Sequence, residues 1–249
     1  LCNNGGANKL WINSSGTAFS EQGGPFGVNY SGPGRGVSAG DFDNDGLTDI
    51  MVGNFNANLI LYKNNTTSFA NVTAAAGINF PSWGGSISWF DYNSDGKLDA
   101  ALGNDGVPYH YNYLFRNDNL SGFTNVAYSS GLTDSASTLC LATADYDNGG
   151  DMDLFCGSQT TGTHGTNYLY RNNGNGSFTD VTTASGMIVY PYSWGADWGD
   201  FDNDGDLDLV VNNLNMPPFI CRNELNSRPD ANYLTVILKG KGMNKSAVG

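Results

Sequence analysis

A nine-residue, aspartate-rich loop that returns four times, a strand-like segment that keeps phase with it, and turns rich in Gly and Asn together predict an all-β chain folded as a β-propeller. The loop reads Asp41-Phe-Asp-Asn-Asp-Gly-Leu-Thr-Asp49, then Asp91-Tyr-Asn-Ser-Asp-Gly-Lys-Leu-Asp99. It returns as Asp145-Tyr-Asp-Asn-Gly-Gly-Asp-Met-Asp153 and Asp200-Phe-Asp-Asn-Asp-Gly-Asp-Leu-Asp208, at spacings of 50, 54 and 55 residues.

Each loop is followed by a short apolar run: Ile50-Met51-Val52, Ala100-Ala101-Leu102, Leu154-Phe155-Cys156 and Leu209-Val210-Val211. These runs do not alternate, which predicts strands buried on both faces between neighbouring blades. Next comes a segment ending in Asn, as Leu61–Asn64, Leu114–Asn117, Leu169–Asn172 and Ile220–Asn223, with an earlier copy at Leu10–Asn13. Phe69–Val72, Phe123–Val126 and Phe178–Val181 then each lead to a glycine, at Gly77, Gly131 and Gly186. About four short strands in about 50 residues fit one propeller blade. Solenoid β-helices have shorter periods, and the 3.6-residue pattern of helical repeats is missing. The expected architecture is about four full four-stranded blades with partial ones at each end, over residues 1–231, as part of a roughly seven-bladed ring. Leu1-Cys2-Asn3-Asn4 aligns with Val210-Val211-Asn212-Asn213, so another loop is expected just upstream, in a longer polypeptide.

The net charge of −13 is localised. Of the 24 Asp and Glu residues, 16 fall in the four loops, and the other 8 face 11 Lys and Arg. The rest of the chain is therefore near neutral, at about +3 (11 − 8). A concentrated basic surface is absent, which excludes nucleic acid as the expected partner. No apolar run reaches the length of a membrane span.

The loop pattern supplies oxygen at alternate positions, which is what a hard cation with six to eight oxygen ligands requires. The expected ligands are Asp41, Asp43, Asp45, the Leu47 carbonyl and Asp49 in the first loop, and Asp91, Asn93, Asp95, the Lys97 carbonyl and Asp99 in the second. In the third they are Asp145, Asp147, the Gly149 position, Asp151 and Asp153, and in the fourth Asp200, Asp202, Asp204, Asp206 and Asp208. About four Ca²⁺ ions are expected, one per loop. An EF-hand would need a bidentate Glu at position 12, where this chain has Val52, Leu102, Cys156 and Val211. Zinc is disfavoured because the loops hold no Cys or His, and magnesium because it wants a rigid octahedral site. A metal-free Asp/Asn/Gly turn explains one copy, but not four in phase. The third loop, with Gly149 in place of a carboxylate, is expected to bind most weakly, and the second, with neutral Asn93, more weakly than the first and fourth. Filling such sites needs calcium at extracellular levels, which places the protein outside the cell.

On these loops the chain resembles the FG-GAP/VCBS repeat family of integrin-α-like, calcium-binding propellers. Tyr192–Asp208 is similar to the form found in proteins of the ASPIC/UnbV type, and residues 232–249 resemble the first strand of an ASPIC/UnbV-like domain. The resemblance implies a secreted or surface protein acting in adhesion, matrix or carbohydrate recognition. It does not specify a ligand, because one fold serves many functions.

Other residues are open to two readings. Cys140 and Cys156 flank the third loop, either as a disulfide or as two buried thiols, and Cys2 and Cys221 are unassigned. Asn-x-Ser/Thr sequons stand at Asn13, Asn29, Asn64, Asn65, Asn71, Asn119, Asn175 and Asn244, as candidate glycosylation sites. His110 and His164 read as solvated loop residues. Trp83, Trp89, Trp194 and Trp198 suit blade packing, or stacking on sugars. No nucleophile, zinc-protease or phosphate-loop motif appears, so no enzyme is expected. The leading expectation is an extracellular calcium-binding scaffold or adhesion module with protein or glycan partners, or with copies of itself. The alternatives are a calcium-dependent propeller lectin and a polysaccharide-degrading enzyme.

Overall fold

The computed structural model describes residues 2–14, 16–105, 111–118, 122–134, 136–159, 166–187 and 192–225. Strands β1 (Asn4–Ala7), β2 (Trp11–Ser14) and β3 (Ala18–Glu21) come first, followed by a one-turn helix α1 (Gly23–Phe26). The first full blade is β4 (Ser31–Gly40), β5 (Asp49–Asn58), β6 (Ile60–Asn64) and β7 (Phe69–Asn71), with β1 added beyond β4 and β8 (Pro81–Trp83) paired to the end of β5. The second is β9 (Ile87–Phe90), β10 (Asp99–Leu102), β11 (Tyr113–Asn117) and β12 (Phe123–Asn125). The third is β13 (Thr138–Ala144), β14 (Asp153–Ser158), β15 (Tyr168–Asn172) and β16 (Phe178–Asp180). In the fourth, β17 (Ser193–Gly199), β18 (Asp208–Asn213) and β19 (Phe219–Cys221) form a sheet of three strands among the described residues, where four were expected. Within each blade consecutive strands pair antiparallel, so each blade is a run of local hairpins. The β2–β3 hairpin has the sequence of a third and fourth strand, those of a preceding repeat.

The unbroken apolar runs are explained by what lies on either side of them. Met51 and Leu61 face the second blade and pack with Leu102, Phe115 and Phe123. Val52, Ile60 and Tyr62, on the other face of the same sheet, pack with Val28 and Cys2. Ala101 and Leu114 meet Leu154, Cys156 and Tyr170 between the second and third blades. Phe155 and Leu169 meet Leu209 and Val211 between the third and fourth. Every residue of β10 and β14 is buried as a result. Both pleat faces are interior, so the period-2 signal of a half-exposed strand has no reason to appear. Each such side chain gains about 1.5–3 kcal/mol on leaving water.

The inner strands β4, β9, β13 and β17 are successive neighbours around the arrangement, and glycine lets them approach. A Cβ on Gly85 would lie 2.2 Å from the Gly103 carbonyl oxygen and 2.6 Å from that of Thr138. The gap is closed by backbone bonds, Ser86 N–H to Leu139 O at 3.1 Å and Thr138 N–H to Asn104 O at 3.1 Å.

The disulfide reading of Cys140 and Cys156 is corrected: all four cysteines carry free thiols. In the β13–β14 register Cys140 pairs with Gly157 and Leu141 with Cys156. Cys140 and Cys156 are thus diagonal by one residue and point to opposite faces of the blade. Cys140 packs towards the fourth blade and Cys156 towards the second. His110, His164, Asn119, Asn244 and the 232–249 segment lie outside the described residues.

Phe155 is fully buried between two blades, so Phe155→Ala is expected to cost about 3–5 kcal/mol in urea unfolding with an unchanged denaturant slope. A loss below about 1 kcal/mol would contradict the interlocked packing.

Candidate metal centres

All four loops share one internal geometry. Position 4 (Asn44, Ser94, Asn148, Asn203) and position 6 (Gly46, Gly96, Gly150, Gly205) both take positive φ, which reverses the chain twice within nine residues. The first aspartate accepts the N–H groups of positions 5 and 6. Asp41 takes Asp45 N at 3.1 Å and Gly46 N at 2.8 Å, and Asp91 takes Asp95 N at 3.1 Å and Gly96 N at 2.7 Å. Asp145 takes Gly149 N at 2.8 Å and Gly150 N at 2.9 Å, and Asp200 takes Asp204 N at 3.1 Å and Gly205 N at 3.0 Å.

The ninth aspartate is fully buried in every loop and acts as a clamp. Its two oxygens accept the N–H of loop position 2 and that of the Asn closing the third strand of the same blade. For Asp99 these are Tyr92 at 3.2 Å and Asn117 at 2.7 Å, and for Asp153 Tyr146 at 3.0 Å and Asn172 at 2.7 Å. For Asp49 they are Phe42 at 3.1 Å and Asn64 at 2.8 Å, and for Asp208 Phe201 at 3.1 Å and Asn223 at 2.7 Å.

That closing Asn is a residue whose role the sequence analysis did not identify. Its side-chain amide donates to the carbonyl of loop position 2 in the preceding blade: Asn117 to Phe42, Asn172 to Tyr92 and Asn223 to Tyr146, each at 2.7 Å. Loops also touch directly, through Ser94 Oγ to Asp151 at 3.0 Å and Asn148 Nδ2 to Asp206 at 3.2 Å. The phased Asn was visible in the sequence. Its partner, some 75–80 residues upstream, was not.

Carboxylate oxygens converge within 4.8 Å of one another in three loops, from Asp41, Asp43 and Asp45, from Asp145, Asp147 and Asp153, and from Asp200, Asp202 and Asp208. The position-3 oxygens Asp43 Oδ1 and Asp202 Oδ1 are buried with no hydrogen-bond partner. An anionic oxygen without water or a donor is costly, and a cation in the cluster satisfies it. The donor set is all oxygen, which suits Ca²⁺. Lys63 Nζ reaches Asp43, and Asp45 at 2.6 Å. Arg222 Nε similarly reaches Asp202 at 2.6 Å. Burial opposes the charged Lys63, but the two carboxylates hold its ammonium above the ordinary value, and Lys63 in turn pulls Asp45 down.

The other predicted ligands sit at the loops as follows. In the second loop Asn93 Oδ1 accepts Asp95 N–H at 3.2 Å, and the Lys97 ammonium pairs with Asp95 at 2.9 Å. Gly149 brings only its N–H, shared between Asp145 and Asp147, so the third loop has no side-chain oxygen at that position. Leu47 and Asp206 each donate their N–H to the position-5 aspartate, at 2.9 and 3.0 Å. Burial pushes the carboxyls of Asp99 and Asp153 up to about 7, with help from the neighbouring aspartates and against two backbone N–H bonds each. Burial raises Asp49 in the same direction. A divalent cation beside these carboxyls would act in the opposite direction and favour their charged form.

Among the sequons, Asn13, Asn29, Asn65, Asn71 and Asn175 are exposed, whereas the Asn64 amide is engaged with Thr48 O at 3.0 Å. Trp89 and Trp198 pack between blades, Trp89 against Phe123 and Trp198 stacked on Tyr146 at 5.8 Å. Trp194 is different: it is 53% exposed.

The chain is 33% identical over 95 residues to cartilage acidic protein 1 of Xenopus tropicalis, covering 38% of this chain and 14% of that protein. It is 35% identical over 66 residues to cartilage acidic protein 1 of Mus musculus, covering 26% of this chain and 10% of that one. Among solved structures, the V. cholerae biofilm matrix protein Bap1 aligns over 82% of this chain and 28% of its own, at 20% identity and a TM-score of 0.45. The BBS1N chain solved with ARL6DN aligns over 71% of this chain and 50% of its own, at 11% identity and a TM-score of 0.42. Residues 41–102 and 145–211 match the FG-GAP-like repeat, and they make up more than half of the sequence. The chain therefore belongs to the FG-GAP-like repeat family.

Proposed function

We propose that this chain is an extracellular calcium-binding β-propeller module whose ions stiffen a structural or adhesion scaffold. The observation that carries the reading is the pair of buried, unpartnered oxygens, Asp43 Oδ1 and Asp202 Oδ1, inside converging carboxylate clusters. Asp41, Asp43 and Asp45 would hold the ion in the first loop, and Asp200, Asp202 and Asp208 in the fourth. Asp145, Asp147 and Asp153 would hold the third, and Asp91, Asn93 and Asp95 surround the second. A bound cation would neutralise the cluster and leave the ninth aspartate ionised in its clamp. The extracellular setting is supported by the calcium level these loops need, and by the cartilage named for the relatives matched over 38% and 26% of the chain. No helix among the described residues is long and apolar enough to cross a membrane. A scaffold is favoured over catalysis because the loop carboxylates accept backbone N–H bonds on a rigid turn, an arrangement that positions a cation rather than a substrate.

With a dissociation constant of about 10⁻⁵ to 10⁻⁴ M and about 1 mM calcium, each site contributes roughly 1.4–2.7 kcal/mol. Calorimetric titration of the chelated chain is expected to show about four calcium ions, the first and fourth loops tightest and the third weakest. Calcium is also expected to raise the melting temperature, and Asp202→Ala to remove one tight site. Unchanged melting on chelation, or tightest binding at the third loop, would contradict the reading.

The same sites predict a pH dependence with a definite sign. Asp99 and Asp153 titrate near 7 in the ion-free fold and near 3.9 when unfolded, so the folded state holds extra protons between those values. Their contribution is present in full below about pH 4 and is lost as pH rises through about 7. Chelated protein is therefore expected to lose stability from pH 5 to 7.5, while calcium affinity rises over the same interval. Melting curves with and without calcium at each pH check this, and parallel curves would refute it.

A further inference from the structure

At the end opposite the aspartate loop, the inner strand of the first, third and fourth blades carries a bulge. Register shifts occur between Gly34 and Gly36 in β4, between Thr138 and Cys140 in β13, and between Ser193 and Gly195 in β17. The extra residues are Arg35, Leu139 and Trp194, and the matching position of the second blade is Ser86, just before β9. A bulged residue leaves the ladder and its side chain is re-aimed. Three copies of one irregularity, with Ser86 at the matching place in the second blade, thus bring four unlike side chains to a groove of about 540 Å³ that Asp105 and Gln159 also line. Asp105 and Gln159 occupy equivalent positions, one residue past Asn104 and Ser158, where the second strands leave the sheet.

The polar centre of this groove is built before any ligand arrives. Asp105 is buried and accepts the Arg35 guanidinium, the Gln159 side-chain amide and Ser137 Oγ, the last at 2.7 Å. Arg35 is held in turn over the Phe55 ring, 4.1 Å from its centroid, and Phe55 is set edge-on to Trp83 at 5.0 Å. Trp194 stands at the wall, half exposed. The volume falls in the range of about 300–1,000 Å³ typical of ligand clefts.

We infer that this groove is a saccharide site that takes a neutral sugar unit, with Arg35 and Gln159, both held by the buried Asp105, meeting its hydroxyls and Trp194 stacking on its ring. Arg35 and Asp105 are the charged residues of the lining, and each cancels the other, so the groove offers neither an anion nor a cation a counter-charge. It does offer planar donors and acceptors side by side, the complement of adjacent hydroxyls, which donate and accept at once. An aromatic face beside them suits the apolar C–H face of a pyranose. The site lies about six strand residues, or roughly 20 Å, from the aspartate loops, and the inference does not depend on what those loops bind.

The test uses the whole chain in calcium-containing buffer, with methyl glycosides of neutral hexoses and N-acetylhexosamines, and a methyl glucuronide as the charged comparison. Calorimetry and saturation-transfer NMR are expected to show saturable binding of at least one neutral glycoside, at about millimolar affinity. Trp194→Ala and Gln159→Ala are each expected to weaken it at least ten-fold. Because Trp194 is half exposed, its variant should melt with the parent, which separates a lost contact from a lost fold. No saturation with any neutral glycoside would overturn the inference. So would binding that survives both substitutions, or a ten-fold preference for the glucuronide.

Discussion

Each repeat is organised around a carboxylate taken out of water. The ninth loop residue, at Asp49, Asp99, Asp153 and Asp208, is buried and, among the described residues, its hydrogen bonds come from backbone N–H groups rather than from a Lys or Arg side chain. Burying an ionised group alone is prohibitive, so the chain must supply donors, a proton or a metal. It supplies two backbone N–H groups, one from the loop itself and one from the third strand. The clamp on each buried aspartate is therefore completed only by the hairpin that follows the loop.

The closing Asn carries that constraint around the arrangement. Its backbone N–H serves the aspartate of its own blade while its side-chain amide serves a loop carbonyl of the preceding one. Aspartate loops, strand ends and blade interfaces are therefore one hydrogen-bonded system, laid over apolar clusters that lock successive sheets face to face. Stiffening a loop with an ion would be felt across an interface, which is the physical content of the scaffold proposal.

The two ends of the blades are used differently. At the loops the same residue types recur because one turn and one buried-aspartate clamp recur. At the opposite end the backbone irregularity recurs in the first, third and fourth blades, and the side chains it directs inward differ: Arg35, Leu139 and Trp194, with Ser86 at the matching place in the second. A repeated frame bearing unrepeated side chains is how a quasi-symmetric fold builds an asymmetric site.

The repeat length, the strands and the loop chemistry were legible in the sequence because each is local: Asp, Asn and Gly spacing within nine residues, and apolar runs of three. The unbroken runs even announced burial on both faces. Side-chain facing across a register could not be read so simply. Cys140 and Cys156 read equally as a disulfide or as two buried thiols, and a one-residue offset in an antiparallel ladder sends them to opposite faces. The Asn ties and the Arg35–Asp105–Gln159 cluster were hidden altogether, since they join residues 54 to 80 positions apart. The sequence by itself determined what repeats, because turn chemistry and burial patterns act along the chain. Only the tertiary structure decided what meets, because the stacking of blades, not spacing along the chain, sets which distant residues share a hydrogen bond.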